Sequence, residues 1–207
     1  VINIFIETLK TNGVTNETIE SMESNLTCSS DTEAKTLNDY SKKHYDANEK
    51  TEEADEMELA APSTLSIPSI DVEADLEGVG VLDNGQMGVP DSAEGVGWFE
   101  PGVTPGEQGN AVMAGHVDSK SGPAVFFDLE DMKAGDDVNV TNEDGQELTF
   151  TVTKVVSYPR QDAPIENIFG ASDGRHLQLI TCTGTFNQEQ GTHDERLVVY
   201  TELTEES

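Results

Sequence analysis

From residue 63 onward the chain is cut by glycines and Asx turns into apolar pieces of strand length, with little helical periodicity. Leu65-Ser66-Ile67-Pro68-Ser69-Ile70-Asp71-Val72 alternates apolar and polar side chains as a half-buried strand does, and Pro68 favours an edge position for it. Gly78-Val79-Gly80-Val81-Leu82 and Gln86-Met87-Gly88-Val89-Pro90 flank Asp83-Asn84-Gly85, whose Asn-Gly pair signals a tight turn. Val138-Asn139-Val140, the turn Asn142-Glu143-Asp144-Gly145 and the run over 148–156 read together as a hairpin. Leu177-Gln178-Leu179-Ile180-Thr181-Cys182 and Leu197-Val198-Val199-Tyr200 supply the last strands. Many short strands joined by such turns predict an all-β barrel or sandwich, with short helices only at 124–132 and 165–169.

Residues 1–62 have a different character. They are polar and charged, too poor in hydrophobic side chains to build a core, and are expected to form an acidic spacer, partly disordered or loosely helical over 36–60. The folded domain is expected over 63–207. With 41 Asp and Glu against 11 Lys and Arg, the net charge of -30 repels phosphates and anionic lipid headgroups. Nucleic acid is therefore not an expected partner, and there is no basic membrane patch. A carboxylate coat this dense suggests high salt or external alkaline medium, where screening quiets the self-repulsion. No apolar run reaches the ~18 residues of a membrane span, and Val1-Ile2-Asn3-Ile4-Phe5-Ile6 is too short for a signal core. Membrane association is expected only through an anchor not seen in this chain, which begins with Val rather than Met.

The chemistry centres on cysteine. Cys28 sits in a polar stretch outside the expected core, so no disulfide to Cys182 is expected, and no Cys-x-x-Cys metal motif is present. Cys182 ends an apolar run, and a lone embedded cysteine with a histidine elsewhere is a nucleophile candidate. Only the thiolate attacks, and an unperturbed thiol with a pKa of about 8.5 is mostly protonated at neutral pH, so a nearby cation is needed. His116, which closes Ala111-Val112-Met113-Ala114-Gly115, and Arg196, one of three arginines, are the candidates. If the strands on either side of a loop over 183–195 pair antiparallel, Arg196 becomes a neighbour of Cys182. Arg196 could then hydrogen-bond an oxyanion, and His116 could protonate a leaving amine and deprotonate an incoming one.

Plainer readings stand beside these. Cys182 reads equally as a small buried hydrophobe, His116 as a turn histidine bonded to backbone, and Arg196 as a surface partner of Asp194 and Glu195. His193 is a competing base or a solvated loop residue, and His176 and His44 have no suggestive context. His116, Cys182 and His193 lack the close spacing of a metal site. No cofactor is expected, although Asp128-Leu129-Glu130-Asp131 and Asp136-Asp137 offer oxygen ligands for calcium without the spacing of an EF-hand.

Ala114-Gly115-His116-Val117-Asp118-Ser119, then Gly122-Pro123-Ala124-Val125-Phe126, Leu179-Ile180-Thr181-Cys182-Thr183-Gly184 and Arg196-Leu197-Val198-Val199 resemble, in this order, the motifs of the sortases, most closely class F. The resemblance covers residues 65–203 and implies a closed eight-stranded β-barrel. It also implies Cys182 as nucleophile, His116 as acid and base, and Arg196 as oxyanion and substrate stabiliser. Family members cleave a Leu-Pro-x-Thr-Gly-like sorting signal through a thioacyl-enzyme. They pass the acyl group to an amine of a peptidoglycan precursor or a pilin lysine at the cell surface, usually from a membrane anchor. Thr181, Thr183 and Gly115 are expected to shape the site or bind substrate, Gly115 by letting substrate approach the backbone. The common signature before the cysteine is Thr-Leu-x-Thr-Cys, and Gln178 stands at its first threonine. Two alternatives to this reading are a hydrolytic cysteine protease of the same kind and a non-catalytic surface barrel.

Overall fold

The computed structural model describes residues 59–206 apart from 84, 189 and 190. Cys28, His44 and nearly all of the expected helix over 36–60 lie outside the described residues. In chain order the strands are β1 (Pro62–Ile67), β2 (Val72–Val79), β3 (Val96–Phe99), β4 (Gly109–Gly115), β5 (Asp118–Ser119), β6 (Gly122–Pro123), β7 (Asp137–Asn142) and β8 (Glu147–Pro159). A short helix α1 (Ile165–Phe169) follows, then β9 (Arg175–Asn187) and β10 (Thr192–Glu206). Eight strands close into a barrel in the order β1-β2-β3-β4-β9-β10-β8-β7, and β5 and β6 pair outside it. The expected all-β, closed eight-stranded architecture is what the chain adopts.

The alternation in the sequence sorts side chains between inside and outside. Leu65 and Ile67 of β1, Val138 and Val140 of β7, and Leu148, Phe150 and Val152 of β8 fill the barrel, together with Ala111, Met113, Leu177 and Leu179. β4 and β9 do not alternate, because both of their faces are buried. Their outward residues Val112, Ala114 and Ile180 pack under Ile168 of α1 in a second cluster with Phe99, Val198 and Tyr200. A parallel pair covered on both sides reads as a continuous apolar run, and β4 pairs parallel with β9 from Gly109↔Arg175 to Ala114↔Ile180. Gln178 is 3% exposed in this pair, and its Nε2 donates to Asn110 Oδ1 at 3.2 Å. Asn110 Nδ2 in turn donates to the Gly170 carbonyl at 2.8 Å, which ties the end of α1 to β4.

Several expectations need correction. Pro68 is not in an edge strand: with no N–H and a fixed φ it opens a 3-10 turn, Pro68–Ile70, and Asp71 at φ 54 reverses the chain into β2. The tight turn between 78–82 and 86–90 forms as read, the Gly85 N–H donating to the Leu82 carbonyl at 2.8 Å and Val81 bridging Met87, but the pieces around it are not strands of their own: β2 absorbs Gly78 and Val79 and pairs parallel with β3. The helix expected over 124–132 shortens to the 3-10 turn Phe127–Asp131, which buries Leu129 alone, whereas α1 forms where expected. The hairpin of β7 and β8 also forms as read.

Tyr158 and Tyr200 share a hydrogen bond at 3.2 Å between β8 and β10, with Lys154 Nζ 4.1 Å from the Tyr200 ring centre. Burial first, then the bond with Tyr158, pushes the Tyr200 phenol above its ordinary value of 10.0. The folded state therefore keeps a proton that the unfolded chain gives up near pH 10, so this stability is complete below that pH and is lost above it. Between about pH 9 and 11, denaturant unfolding of Tyr200→Phe should lose less stability than wild type, by under about 1.4 kcal/mol per pH unit.

Candidate active site

Two strand registers meet at Cys182. In the antiparallel pair of β9 and β10, Cys182 stands directly opposite Arg196. In the parallel pair of β4 and β9 the last partners are Ala114 and Ile180, so two residues further along each strand come His116 and Cys182, side by side. The Thr181 hydroxyl extends that register by one step, donating to the Gly115 carbonyl at 2.9 Å. Both strands continue past the expected loop: β9 runs to Asn187 and β10 begins at Thr192, so Cys182 and Arg196 lie within a long hairpin rather than at strand ends. Paired interior positions fix the two side chains more firmly than a loop would. By alternation both lie on the outward face with Ile180 and Val198.

Arg196 is 1% exposed. It is not a surface partner of Asp194 and Glu195. Its Nη1 donates to the carbonyls of His193 and Glu195 at 3.0 and 2.7 Å, and its Nη2 to Thr192 Oγ1 at 3.2 Å. The Asp194 carboxylate instead accepts from the Thr185 N–H at 2.7 Å. Arg196 Nε is buried with no partner. Burial lowers the guanidinium from its ordinary value; Cys182 acts the other way, and Arg160 adds to the lowering. The group remains a cation.

His116 is half-buried, and its Nε2 lies 2.8 Å from the Pro90 carbonyl. A carbonyl only accepts, so Nε2 carries the hydrogen and Nδ1 is left for proton exchange. The segment beyond His116 is fixed by backbone bonds from Phe126 to the His116 carbonyl and from Ala124 to the Val117 carbonyl, 2.9 and 3.2 Å. A Cβ on Gly115 would come within 2.7 Å of Phe126 Cδ2 and 2.9 Å of Val125 Cγ1. The close approach at this glycine is thus made by those two side chains.

Cys182 is a free thiol, half-buried between two cavities. The smaller, of about 240 Å³, holds His116 and Arg196 with Val89, Ile180 and Phe186. The larger, of about 500 Å³, holds Thr183 with Asp118, Phe127, Glu130 and Glu195. Thr181 and Cys182 line both. His193 also lines both, with only 14% of its side chain exposed, which corrects the solvated-loop reading. Only its position three residues before Arg196 hinted at this. His176, near the start of β9, is bonded to Ser172 Oγ at 3.0 Å, away from the site. Among the described residues no three His, Cys, Asp or Glu converge to hold a metal, and Asp136 closes its own turn by accepting from the Lys133 N–H at 2.8 Å.

A family model described as Sortase domain matches residues 65–204. Sortase A of Listeria monocytogenes is 20% identical, with 72% of this chain and 90% of that one covered and a TM-score of 0.55. Sortase E1 of Streptomyces coelicolor is 19% identical over 71% and 90% of the two chains, TM-score 0.55. Sortase C of Clostridium perfringens is 21% identical over 98% of each, TM-score 0.54. At these identities the likeness of the solved structures is one of fold. No curated protein matches the chain.

Gly115→Ala should cost about 1–3 kcal/mol of stability through overpacking. It should also move the main chain ahead of His116. Denaturant unfolding checks the first effect and the alkylation rate of Cys182 the second.

Proposed function

The chain belongs to the sortase family, whose members are cysteine transpeptidases, and on that premise we propose that Cys182 is its nucleophile, His116 its general acid and base, and Arg196 its oxyanion-stabilising cation. What carries this reading is the pair of registers that sets Arg196 and His116 on either side of Cys182, with Arg196 lining the smaller cavity and its Nε buried without a partner. A buried donor left unpaired costs about 1–3 kcal/mol, a cost that a substrate oxygen reaching it would relieve.

The Cys182 thiolate attacks the carbonyl carbon of the threonine in a Leu-Pro-x-Thr-Gly-like signal, forming a C–S bond and an oxyanion. Arg196 donates to that oxyanion, which carries more charge than the ground-state carbonyl, so the interaction favours the transition state. As the C–N bond breaks, His116 Nδ1–H protonates the departing amine, leaving a thioester on Cys182. An incoming amine attacks the thioester, gives its proton to the now neutral His116, and releases the thiolate. Arg196 stays charged throughout, which matters in a chain of net charge -30 whose field opposes thiolate formation.

The two cavities suit two different occupants. Val89, Ile180 and Phe186 offer apolar surface to the Leu-Pro part of a signal beside Arg196. The Streptomyces coelicolor sortase E1 structure has a tripeptide in its active site, a peptide of the size this cavity would accept. Glu130 and Glu195 favour a cationic ammonium on the other side of the sulfur, as on a pilin lysine or a peptidoglycan precursor. The resemblance of the motifs around His116 and Cys182 supports class F as the chain's subclass. On this reading the enzyme works at the outer face of the cell membrane, with residues 1–62 serving as an acidic spacer.

Cys182→Ala should abolish cleavage of a sorting-signal peptide. Mass spectrometry with and without a diamine or glycine peptide distinguishes transfer from hydrolysis, and cleavage retained by Cys182→Ala rejects the assignment. Arg196→Lys keeps a charge but loses the Nε donor and the fork that holds two carbonyls by Nη1 and the Thr192 hydroxyl by Nη2. It should lower kcat/KM by about 10²–10³ while thermal unfolding still shows a folded barrel.

A further inference from the structure

His193 stands where three parts of the site meet. Its Nε2 lies 3.1 Å from Asp118 Oδ2, on the strand just beyond His116, and its Nδ1 lies 3.1 Å from the carbonyl of Gly184, just beyond Cys182 on β9. Its own carbonyl accepts from Arg196 Nη1 at 3.0 Å, and the adjacent Thr192 hydroxyl accepts from Nη2. The pairing of β10 with β9 shifts register between His193 and Glu195, the kind of bulge that re-aims a side chain beside a site. Phe186 closes one side of the imidazole, edge to face at 5.3 Å between ring centres.

We propose that His193 is a positioning residue: clasped between Asp118 and Gly184, it holds the segment after His116 against β9 and fixes the carbonyl that orients Arg196. The proposal rests on the assignment of Cys182, His116 and Arg196 above. Neither acceptor of the clasp can donate, so both bonds exist together only when both ring nitrogens carry hydrogen. The intact clasp is therefore an imidazolium, and a neutral ring keeps one bond of the two. The charged and titratable groups around it are Asp118 at Nε2, Asp194 and Glu195 on its own strand, Glu130 across the larger cavity, Cys182 and His116 along the shared wall, and the guanidinium on its carbonyl.

The test is steady-state transpeptidation by the full chain, using a fluorogenic sorting-signal peptide and a diamine. His193→Gln should lower kcat by about ten- to a hundredfold, the scale of a small misplacement of reacting groups, with little change in KM for the peptide. Asp118→Asn should reproduce this split between kcat and KM, Asp118→Glu should restore part of the rate, and the double variant should be no worse than His193→Gln alone. Full kcat in folded His193→Gln overturns the proposal, as do losses that multiply in the double variant. If His193→Gln does not fold, Asp118→Asn decides alone, since the Asp118 side chain is 51% exposed and can be changed without touching the core. A failed clasp leaves Cys182→Ala inactive, whereas an active Cys182→Ala removes the catalytic assignment itself.

Discussion

A parallel strand pair cannot be closed by a tight turn, so joining β4 to β9 commits the chain to a long crossover. β7, β8 and α1 all lie in that crossover, and they complete one side of the barrel and cover its outward cluster before the chain returns. The same pairing runs to Ala114 and Ile180, beyond which β4 stops and β9 continues alongside β10. His116 and Cys182 each lie two residues past that last pair, so their proximity follows from the register. Thr181 reinforces that register with a side-chain bond to the Gly115 carbonyl, and Gly115 owes its lack of a side chain to Phe126 and Val125. A shift of one residue in this pair would take the acid and the nucleophile apart together.

The second constraint is electrical. A chain of net charge -30 has carboxylates enough to neutralise every cation it owns, yet Arg196 is held by two backbone carbonyls and a hydroxyl. Neutral dipoles orient a guanidinium without cancelling its charge, so its field stays directed at the sulfur and at whatever oxygen reaches Nε. Asp194, two residues before Arg196, is turned to the Thr185 N–H. Burial makes this cation costly to keep, as its lowered pKa records, and that cost is the condition for its strength in a site with little water.

Much of this was legible in the sequence. The strand-sized pieces and Asx turns specified an all-β domain, and the family-like motifs around His116, Cys182 and Arg196 specified both barrel and site. What the sequence could not express was the partner of each strand. Leu65 through Val72 looks like one strand by alternation, and only the geometry of Pro68 and Asp71 divides it into two arms of a hairpin. The segments at 78–82 and 86–90 carry a good turn signal, but β3 is the better partner for β2. His193 was hidden for the same reason: its meaning depends on Asp118, distant in sequence and brought near only by closure of the barrel.

Closure also limits how this protein can meet a partner. An open sheet offers a row of free N–H and C=O groups along its edge, and an extended peptide can add itself there as one more strand. The barrel has no such edge, because β1 pairs with β7 and completes the circle. An extended peptide that meets this closed wall is given no free edge there to join. Recognition by such a barrel falls to side chains in its hollows, where a few substitutions can change it without disturbing the scaffold.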